Sequence, residues 1–258
     1  MTPRTAPTSR TFVLVHGAWH DGRVWRRVVP LLEARGHRVL TPSLTGHGDR
    51  AHLLGPDVGL STHVEDVLTT IADHDLTDVV LVGHSYAGMV VSAVAHRIPD
   101  RISHLVFVDA MVPTHGESAL DVMPVTRLMI DAAADPAHPW RIPPLPEMPA
   151  PRGLFGVTAP EDLAWLRPTL GDESVRCFLE PVVMDDPAAD AIPRTHILCV
   201  GAGPAADHPA AEPVVRRPVP ARGPDGTPSR IRELPTGHDC MITEPAALTE
   251  LLLEAGSP

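Results

Sequence analysis

The chain has 258 residues, 43% of them hydrophobic and 21% charged, which is typical of one globular domain with a large buried core. Its formal net charge of −11 argues against nucleic acids and anionic membranes as partners, because both would repel the protein. Along the sequence, no apolar run approaches the length that spans a bilayer.

Short apolar runs alternate with helical patterns along most of the chain. Strands are predicted at 11–15, 38–41, 78–82, 104–108, 195–200 and 230–234. Helices are predicted at 23–35, 61–74, 86–97 and 245–255. Several of the strands are apolar over four consecutive positions rather than alternating, as expected of strands that are buried on both faces of a parallel sheet. The alternation predicts an α/β fold with a doubly wound, mostly parallel sheet.

Two proline-rich stretches interrupt the alternation. Residues 113–193 contain no convincing strand of the sheet, and we interpret them as an inserted helical cap over the mouth of the sheet. Residues 1–112 and 194–258 would then form the core. The second stretch, 201–229, separates two predicted strands and is predicted to be a long irregular surface loop.

Residues 79–88 carry the most specific signal in the chain. An apolar, β-branched run ends at Gly83, Ser85 follows, and a helical pattern of small residues continues from there. This strand–turn–helix context is that of a nucleophile elbow, in which the serine hydroxyl points out of the sheet. The usual pattern is Gly-x-Ser-x-Gly, and Ala87 stands in its last position. The alternative is a buried serine at an ordinary turn between a strand and a helix.

A serine hydroxyl becomes a good nucleophile only when a base removes its proton and a third group holds that base. His238 lies between the last predicted strand and the last predicted helix, which is where the chain order of such triads places the base. The alternative for this residue is a histidine of a surface loop.

Attack on a carbonyl leaves negative charge on its oxygen, which needs hydrogen-bond donors. The backbone N–H of Tyr86, directly after the serine, is one predicted donor, and that of Ala18, in the loop after the first strand, is the other. His16 and His20 in the same loop are spaced like metal ligands. Gly17 between them argues against a helix that presents both on one face, so we predict no metal site there.

Five motifs together resemble the α/β-hydrolase superfamily, in particular the plant-type methyl esterases, hydroxynitrile lyases and their bacterial esterase relatives. The motifs are His-Gly-Ala-Trp-His at 16–20, Leu-Thr-Gly-His-Gly at 44–48, Gly-His-Ser-Tyr-Ala-Gly at 83–88, Val-Asp-Ala-Met-Val-Pro at 108–113 and Gly-His-Asp-Cys-Met-Ile-Thr-Glu-Pro at 237–245. The resemblance implies a Ser–His–Asp triad with Ser85 as nucleophile and His238 as base. It also implies oxyanion donors at Ala18 and Tyr86, a small acyl substrate under a helical cap, and no cofactor or metal.

The acid of the triad is where the chain departs from its relatives. They place an aspartate shortly after the strand predicted at 195–200, where this chain has Ala202. Asp207 is the next aspartate and is the predicted acid, while Asp109, at the end of the strand 104–108, is the alternative. Three weaker alternatives are Glu212, Asp225 and a site without an acid.

The predicted function is hydrolysis of a small-molecule ester or thioester through an acyl-enzyme intermediate. Two alternatives stay open: lyase or elimination chemistry on the same scaffold in natural-product tailoring, and non-catalytic binding of a small molecule. Relatives that cleave cyanohydrins have threonine where Ala18 stands and lysine directly after the histidine. Asp239 occupies that second position here, so a leaving cyanide would gain no electrostatic help.

The three cysteines, Cys177, Cys199 and Cys240, are odd in number and far apart. They are predicted to be free thiols in a reducing cytoplasm. The first ten residues lack an apolar core, so no signal peptide is expected. The expected partner is a small-molecule substrate, and formation of a homodimer is left open.

Overall fold

The computed structural model describes residues 9–133, 135–150, 152–201 and 217–256. The strands in these residues are β1 (Thr11–Val15), β2 (Arg38–Leu40), β3 (Val79–His84), β4 (Ile102–Val108), β5 (Arg141–Ile142), β6 (Glu173–Ser174), β7 (Arg194–Cys199) and β8 (Arg230–Leu234). The α-helices are α1 (Val29–Glu33), α2 (Leu60–Asp73), α3 (Ala87–Arg97), α4 (Ala119–Val122), α5 (Thr126–Ala133), α6 (Pro160–Leu166), α7 (Val175–Leu179), α8 (Cys240–Thr243) and α9 (Pro245–Ala255).

The main sheet of the described residues has six strands in the order β2-β1-β3-β4-β7-β8, and every neighbouring pair is parallel. The predicted α/β fold is therefore confirmed. The predicted bounds of β1, β8 and α9 agree with the structure at both ends. Because all strands run the same way, the loops after β1, β3, β4, β7 and β8 leave the same edge of the sheet, which is where ligand sites of such folds form.

Helices cover both faces of the sheet because successive strand residues alternate between the faces. In β1, Val13 and Val15 pack into the apolar layer that contains α2 and α3. Phe12 and Leu14 point to the other face and pack into the layer that contains α1, α8 and α9. A strand buried in this way can be apolar on both faces, as β1 is from Phe12 to Val15.

The prediction of a single helix at 23–35 is wrong. The structure has a short 3₁₀ helix at Gly22–Trp25 and then α1, which begins only at Val29. Pro30 lies in the first turn of α1. It has no N–H to donate to a preceding turn, so a helix that continued through this position would lose a hydrogen bond and meet the proline ring.

Residues 113–193, named here the inserted segment, join β4 to β7. Their described part contains α4, α5, α6 and α7 and the antiparallel pair β5–β6, which is separate from the main sheet. The second proline-rich stretch is described only in part, and residues 217–229 form turns with one isolated bridge between Arg222 and Pro228.

Cys177, Cys199 and Cys240 are free thiols, as predicted, and the structure shows that all three are buried. In the described ranges of the chain, no helix combines the length and the apolar character that crossing a membrane requires.

Candidate active site

Ser85 lies in the turn between β3 and α3, with a φ of 55° in the left-handed region. Such a conformation costs energy for a residue with a side chain, and it persists only where the surroundings enforce it. A Cβ atom on Gly83 would come within 2.7 Å of the Ala87 carbonyl oxygen and 2.8 Å of Val91 Cγ2. The turn is therefore tight enough to require glycine two residues before the serine, as in a nucleophile elbow.

The backbone of Ser85 is tied to the segment that follows β4. Its N–H donates to the Val108 carbonyl at 3.2 Å, and its carbonyl accepts from Met111 N–H at 3.0 Å. The nucleophile candidate is thus held beside the end of β4, where Asp109 lies.

Asp109 and His238 form the central contact of the site. Asp109 Oδ2 lies 2.5 Å from His238 Nδ1, and the Asp109 side chain is 0% exposed while that of His238 is 27% exposed. The other carboxylate oxygen, Oδ1, accepts from the N–H of Cys199 at 3.2 Å, at the end of β7. When Nδ1–H is donated to this carboxylate, Nε2 is the ring nitrogen that can accept a proton.

The structure brings together the predicted base and the aspartate that was the alternative acid, and it holds the backbone of the predicted nucleophile, Ser85, beside the end of β4. Asp207 and Glu212 lie outside the described residues, and a triad role for Asp207 stays a prediction. Asp225 accepts hydrogen bonds from the backbone N–H and the hydroxyl of Thr227 in an exposed turn, and it is not part of this cluster.

The loop after β1 passes directly against the nucleophile. A Cβ atom on Gly17 would lie 2.8 Å from Ser85 Cβ and 3.0 Å from His84 Nδ1. His16 Nδ1–H donates to the Gly17 carbonyl at 2.8 Å, and in a trans peptide this directs the Ala18 N–H to the opposite side. In the described part of the chain, neither this N–H nor that of Tyr86 donates a hydrogen bond to another protein group.

The His84 ring packs against the base, His238, and hydrogen-bonds to its backbone. The His84 ring is fully buried, with its centroid 4.5 Å from that of His238, and its Nε2–H donates to the His238 carbonyl at 3.1 Å. Burial, together with the nearby rings of His238 and His20, lowers the pKa of His84 well below its usual value. His84 is therefore neutral. Its place directly before Ser85 is the sequence signal that could have pointed to it.

His20 and Asp239 form a buried pair next to His84. His20 Nε2 lies 3.0 Å from Asp239 Oδ2, and the two side chains are 2% and 0% exposed. Burial opposes a charge on His20, but the charge of Asp239 and its hydrogen bond outweigh burial and raise the pKa of His20. The sequence marks His20 only by its metal-ligand spacing, and Asp239 only because it stands where cyanohydrin-cleaving relatives have lysine. Neither signal predicts that the two side chains pair.

The inserted segment closes on the loop that carries His238. Asp239 N–H donates to the Phe155 carbonyl at 2.9 Å. A Cβ atom on Gly156 would lie 2.6 Å from the Gly237 Cα and 2.8 Å from the His238 nitrogen. The Phe155 ring lies 6.3 Å from that of His238 and 5.9 Å from that of Trp19, centroid to centroid. The wall beside the base is therefore aromatic.

Two groups of side chains in the described residues have the composition and spacing to hold a metal ion: His84, His238 and Asp239, and His47, His63 and Glu173. In the second group, His47 Nε2 lies 3.1 Å from Glu173 Oε2. The His63 ring makes hydrogen bonds to the Thr45 carbonyl through Nε2 and to the Tyr86 hydroxyl through Nδ1. Burial raises the pKa of Glu173, but the charge and hydrogen bond of His47 outweigh it, so that the pKa is lowered to about 2. This group joins the core to the inserted segment.

Comparisons with known proteins extend these observations. The family model described as "Alpha/beta hydrolase family" matches residues 12–251. The carbendazim hydrolyzing esterase of Nocardioides sp. (strain SG-4G) is 37% identical over 255 residues, which are 95% of this chain and 99% of that protein. Methylesterase 2 of Arabidopsis thaliana is 39% identical over 104 residues, 40% of each chain.

Among solved structures, an extracellular alpha/beta-hydrolase from a Paenibacillus species is similar, with a TM-score of 0.77 and 26% sequence identity. The match covers 96% of this chain and 100% of that one. That protein is described as sharing structural and functional homology with tobacco salicylic acid binding protein 2.

Proposed function

Since this chain belongs to the alpha/beta hydrolase family and is an esterase-type hydrolase, we propose that it cleaves a small-molecule ester or thioester through an acyl-enzyme intermediate on Ser85. The observation that carries this proposal is the contact of Asp109 Oδ2 with His238 Nδ1, 2.5 Å, beside a serine in a nucleophile elbow. A serine, a histidine and a buried carboxylate in this relation are the parts of a hydrolytic triad.

In the first half of the reaction, His238 Nε2 takes the proton of the Ser85 hydroxyl while the serine oxygen attacks the substrate carbonyl. The carbonyl π electrons move to oxygen, which becomes negatively charged. When the tetrahedral intermediate collapses, the bond to the leaving alcohol or thiol breaks, and the leaving group takes the proton from His238. The acyl group then remains on Ser85.

The N–H groups of Ala18 and Tyr86 are proposed to stabilise the negative oxygen. Both are unoccupied by other protein acceptors among the described residues, and Tyr86 directly precedes α3, so the positive end of the helix dipole adds to its effect. Donors that are already aligned cost no reorganisation when the charge develops.

In the second half, water repeats the attack on the acyl-enzyme. His238 Nε2 takes a proton from the water, the hydroxyl oxygen bonds to the acyl carbon, and the bond to Ser85 breaks as the serine oxygen regains the proton. The products are a carboxylic acid and free enzyme. Asp109, rather than Asp207, is proposed as the acid throughout, because its carboxylate contacts Nδ1 and would stabilise the imidazolium in both halves.

The inserted segment, residues 113–193, is proposed to act as the cap that shapes the substrate pocket. Its Phe155 ring lies between the base and Trp19, 6.3 Å from the His238 ring and 5.9 Å from the Trp19 ring. The relative that matches almost the full chain hydrolyses carbendazim, as its name states. We therefore expect a planar or aromatic ester to be a better substrate than a long-chain one, since a flat ring can pack along an aromatic wall.

A panel of p-nitrophenyl esters of increasing acyl length, together with aryl methyl esters and carbendazim, tests the proposal. The wild-type chain should release p-nitrophenol and show turnover above that of Ser85→Ala by about 10⁴-fold or more. Ser61→Ala, an exposed serine on α2, is the matched control and should behave as wild type. Equal turnover by wild type and Ser85→Ala would refute the mechanism.

A further inference from the structure

Both ring nitrogens of His20 face oxygen acceptors. Nδ1 lies 2.8 Å from the Ala18 carbonyl oxygen, and Nε2 lies 3.0 Å from Asp239 Oδ2. A carbonyl oxygen can only accept, so Nδ1 carries a proton, and the carboxylate on the other side is matched by a proton on Nε2. The geometry therefore describes an imidazolium–carboxylate pair. Its other ionisable neighbours are Asp21, which favours the charge, and the neutral rings of His16 and His84.

On one side, this pair holds the loop that carries the oxyanion donor. The backbone N–H of His20 donates to the Gly17 carbonyl at 3.3 Å, while its ring donates to the next carbonyl, that of Ala18. The peptide between Gly17 and Ala18 is the one whose N–H is the proposed donor. Trp19, which follows, has a φ of 66°, a strained conformation that needs such contacts to persist.

On the other side, the pair holds the segment that carries the base. Asp239 directly follows His238, and the peptide between them is bound at both of its polar atoms. Its carbonyl accepts from His84 Nε2–H at 3.1 Å, and its N–H donates to the Phe155 carbonyl at 2.9 Å. The carboxylate of Asp239 then reaches across to His20, 219 residues away in sequence.

We propose that His20 and Asp239 are a pair of positioning residues that fix the Ala18 N–H relative to His238, so that the oxyanion donor and the base act on the same substrate carbonyl. This inference rests on the proposed function, because it requires Ala18 and His238 to serve one reaction. Both residues act through the groups that they hold. A misplacement of about 1 Å in a reacting geometry costs about 100-fold in rate, which sets the scale of the effect.

Asp239→Asn removes the charge and keeps the size of the side chain, and His20→Gln removes the imidazolium and keeps one donor. Each change should lower kcat by about 10- to 100-fold and leave KM within about threefold, because ground-state binding does not use the oxyanion donor. The double variant should be no worse than the more damaged single variant, since both changes break one interaction. His74→Ala, an exposed histidine after α2, is the matched control and should keep wild-type kinetics.

Two measurements separate positioning from a general loss of structure and from failure of the proposed function. The rate at which a fluorophosphonate labels Ser85 should fall in parallel with kcat, while thermal unfolding shows that the variants are folded. Nitrogen-15 NMR of the histidine rings should show protons on both nitrogens of His20 in the wild-type chain, and loss of one in Asp239→Asn. This readout needs no substrate.

A neutral His20 ring in the wild-type chain would overturn the inference whether or not the chain hydrolyses esters. Folded variants with an unchanged kcat and labelling rate would also overturn the inference, as would variants in which KM rises while kcat is unchanged. Absence of ester hydrolysis by the wild-type chain would count against the proposed function alone, because the labelling rate would still measure the effect of the pair on Ser85.

Discussion

Asp109 Oδ2 lies 2.5 Å from His238 Nδ1, although 129 residues separate the two in sequence. The carboxylate is also held from a third element, because Asp109 Oδ1 accepts from the N–H of Cys199 at the end of β7. Its orientation thus depends on the parallel neighbours β4 and β7, whose ends meet at one edge of the sheet. A carboxylate buried in this way is costly without its partner, so the contact also links the base to the stability of the core.

Asp109→Asn is expected to lower kcat by about 10⁴-fold, because the amide no longer stabilises the imidazolium and favours the wrong ring tautomer. Asp207→Asn, the same chemical change at the other predicted acid, is the matched control and should keep turnover within about threefold of wild type. Steady-state kinetics on the best ester, with circular dichroism to show that both variants fold, measure this. A folded, active Asp109→Asn beside an inactive Asp207→Asn would return the role to Asp207.

Glu173→Gln should weaken the attachment of the inserted segment to the core, because it breaks the buried contact with His47. At about pH 7 the free energy of unfolding should fall by roughly 3 kcal/mol, the usual scale for breaking a buried pair. Glu65→Gln on α2, which breaks an exposed ion pair with Arg97, should lower the free energy of unfolding much less, since surface pairs contribute less than about 1 kcal/mol.

The difference between Glu173→Gln and wild type should depend on pH in one direction. The pKa of Glu173 is lowered from 4.5 to about 2. A group whose pKa is depressed by folding contributes stability above its unfolded pKa and loses it as the pH falls through the folded value. Urea denaturation should therefore show a constant difference above about pH 5 that shrinks toward about pH 2. A difference that grows in acid would contradict the assignment.

The pair of His20 and Asp239 should show the opposite dependence. Burial opposes the charge of His20, but Asp239 outweighs it and raises the pKa above 6.5. The stability that the pair contributes should be fully present below that value and disappear as the pH rises through the raised one. The loss of stability in Asp239→Asn should accordingly be largest near about pH 6 and decline at alkaline pH, as measured by urea denaturation. A loss that increases with pH would mean that His20 is neutral.

Gly156→Ala should disturb the contact between the inserted segment and the base, because its Cβ would lie 2.6 Å from Gly237 Cα. Overpacking of this kind costs roughly 1–3 kcal/mol, and a shift of His238 should also lower kcat. Gly116→Ala is a close control, since Gly116 has a similar φ of 83° against 86°, yet nothing lies within 4 Å of its added Cβ. Both variants carry the same backbone strain, so only crowding distinguishes them. Equal effects would show that the contact is unimportant.

Much of the fold could be predicted from the sequence because its signals are local. The pattern of apolar residues in β1 and β8 depends on neighbours two positions apart, and both strands have the predicted bounds. The elbow around Ser85 depends on small residues within a few positions, such as Gly83, whose added Cβ would lie 2.7 Å from the Ala87 carbonyl oxygen. Even the failure at 23–35 has a local cause, since Pro30 interrupts the helix.

The partners of the candidate site were decided only by the tertiary structure. Asp109, Asp207 and Asp225 all lie near the ends of strands along the sequence. The sequence does not show which of these carboxylates contacts His238, because that contact depends on distance in space. His20 and Asp239 both stand in motifs that the sequence marks, yet their pairing across 219 residues depends on two loops that meet at one edge of the sheet. Periodicity and turn chemistry act between near neighbours along the chain, whereas hydrogen bonds and charges act between near neighbours in space.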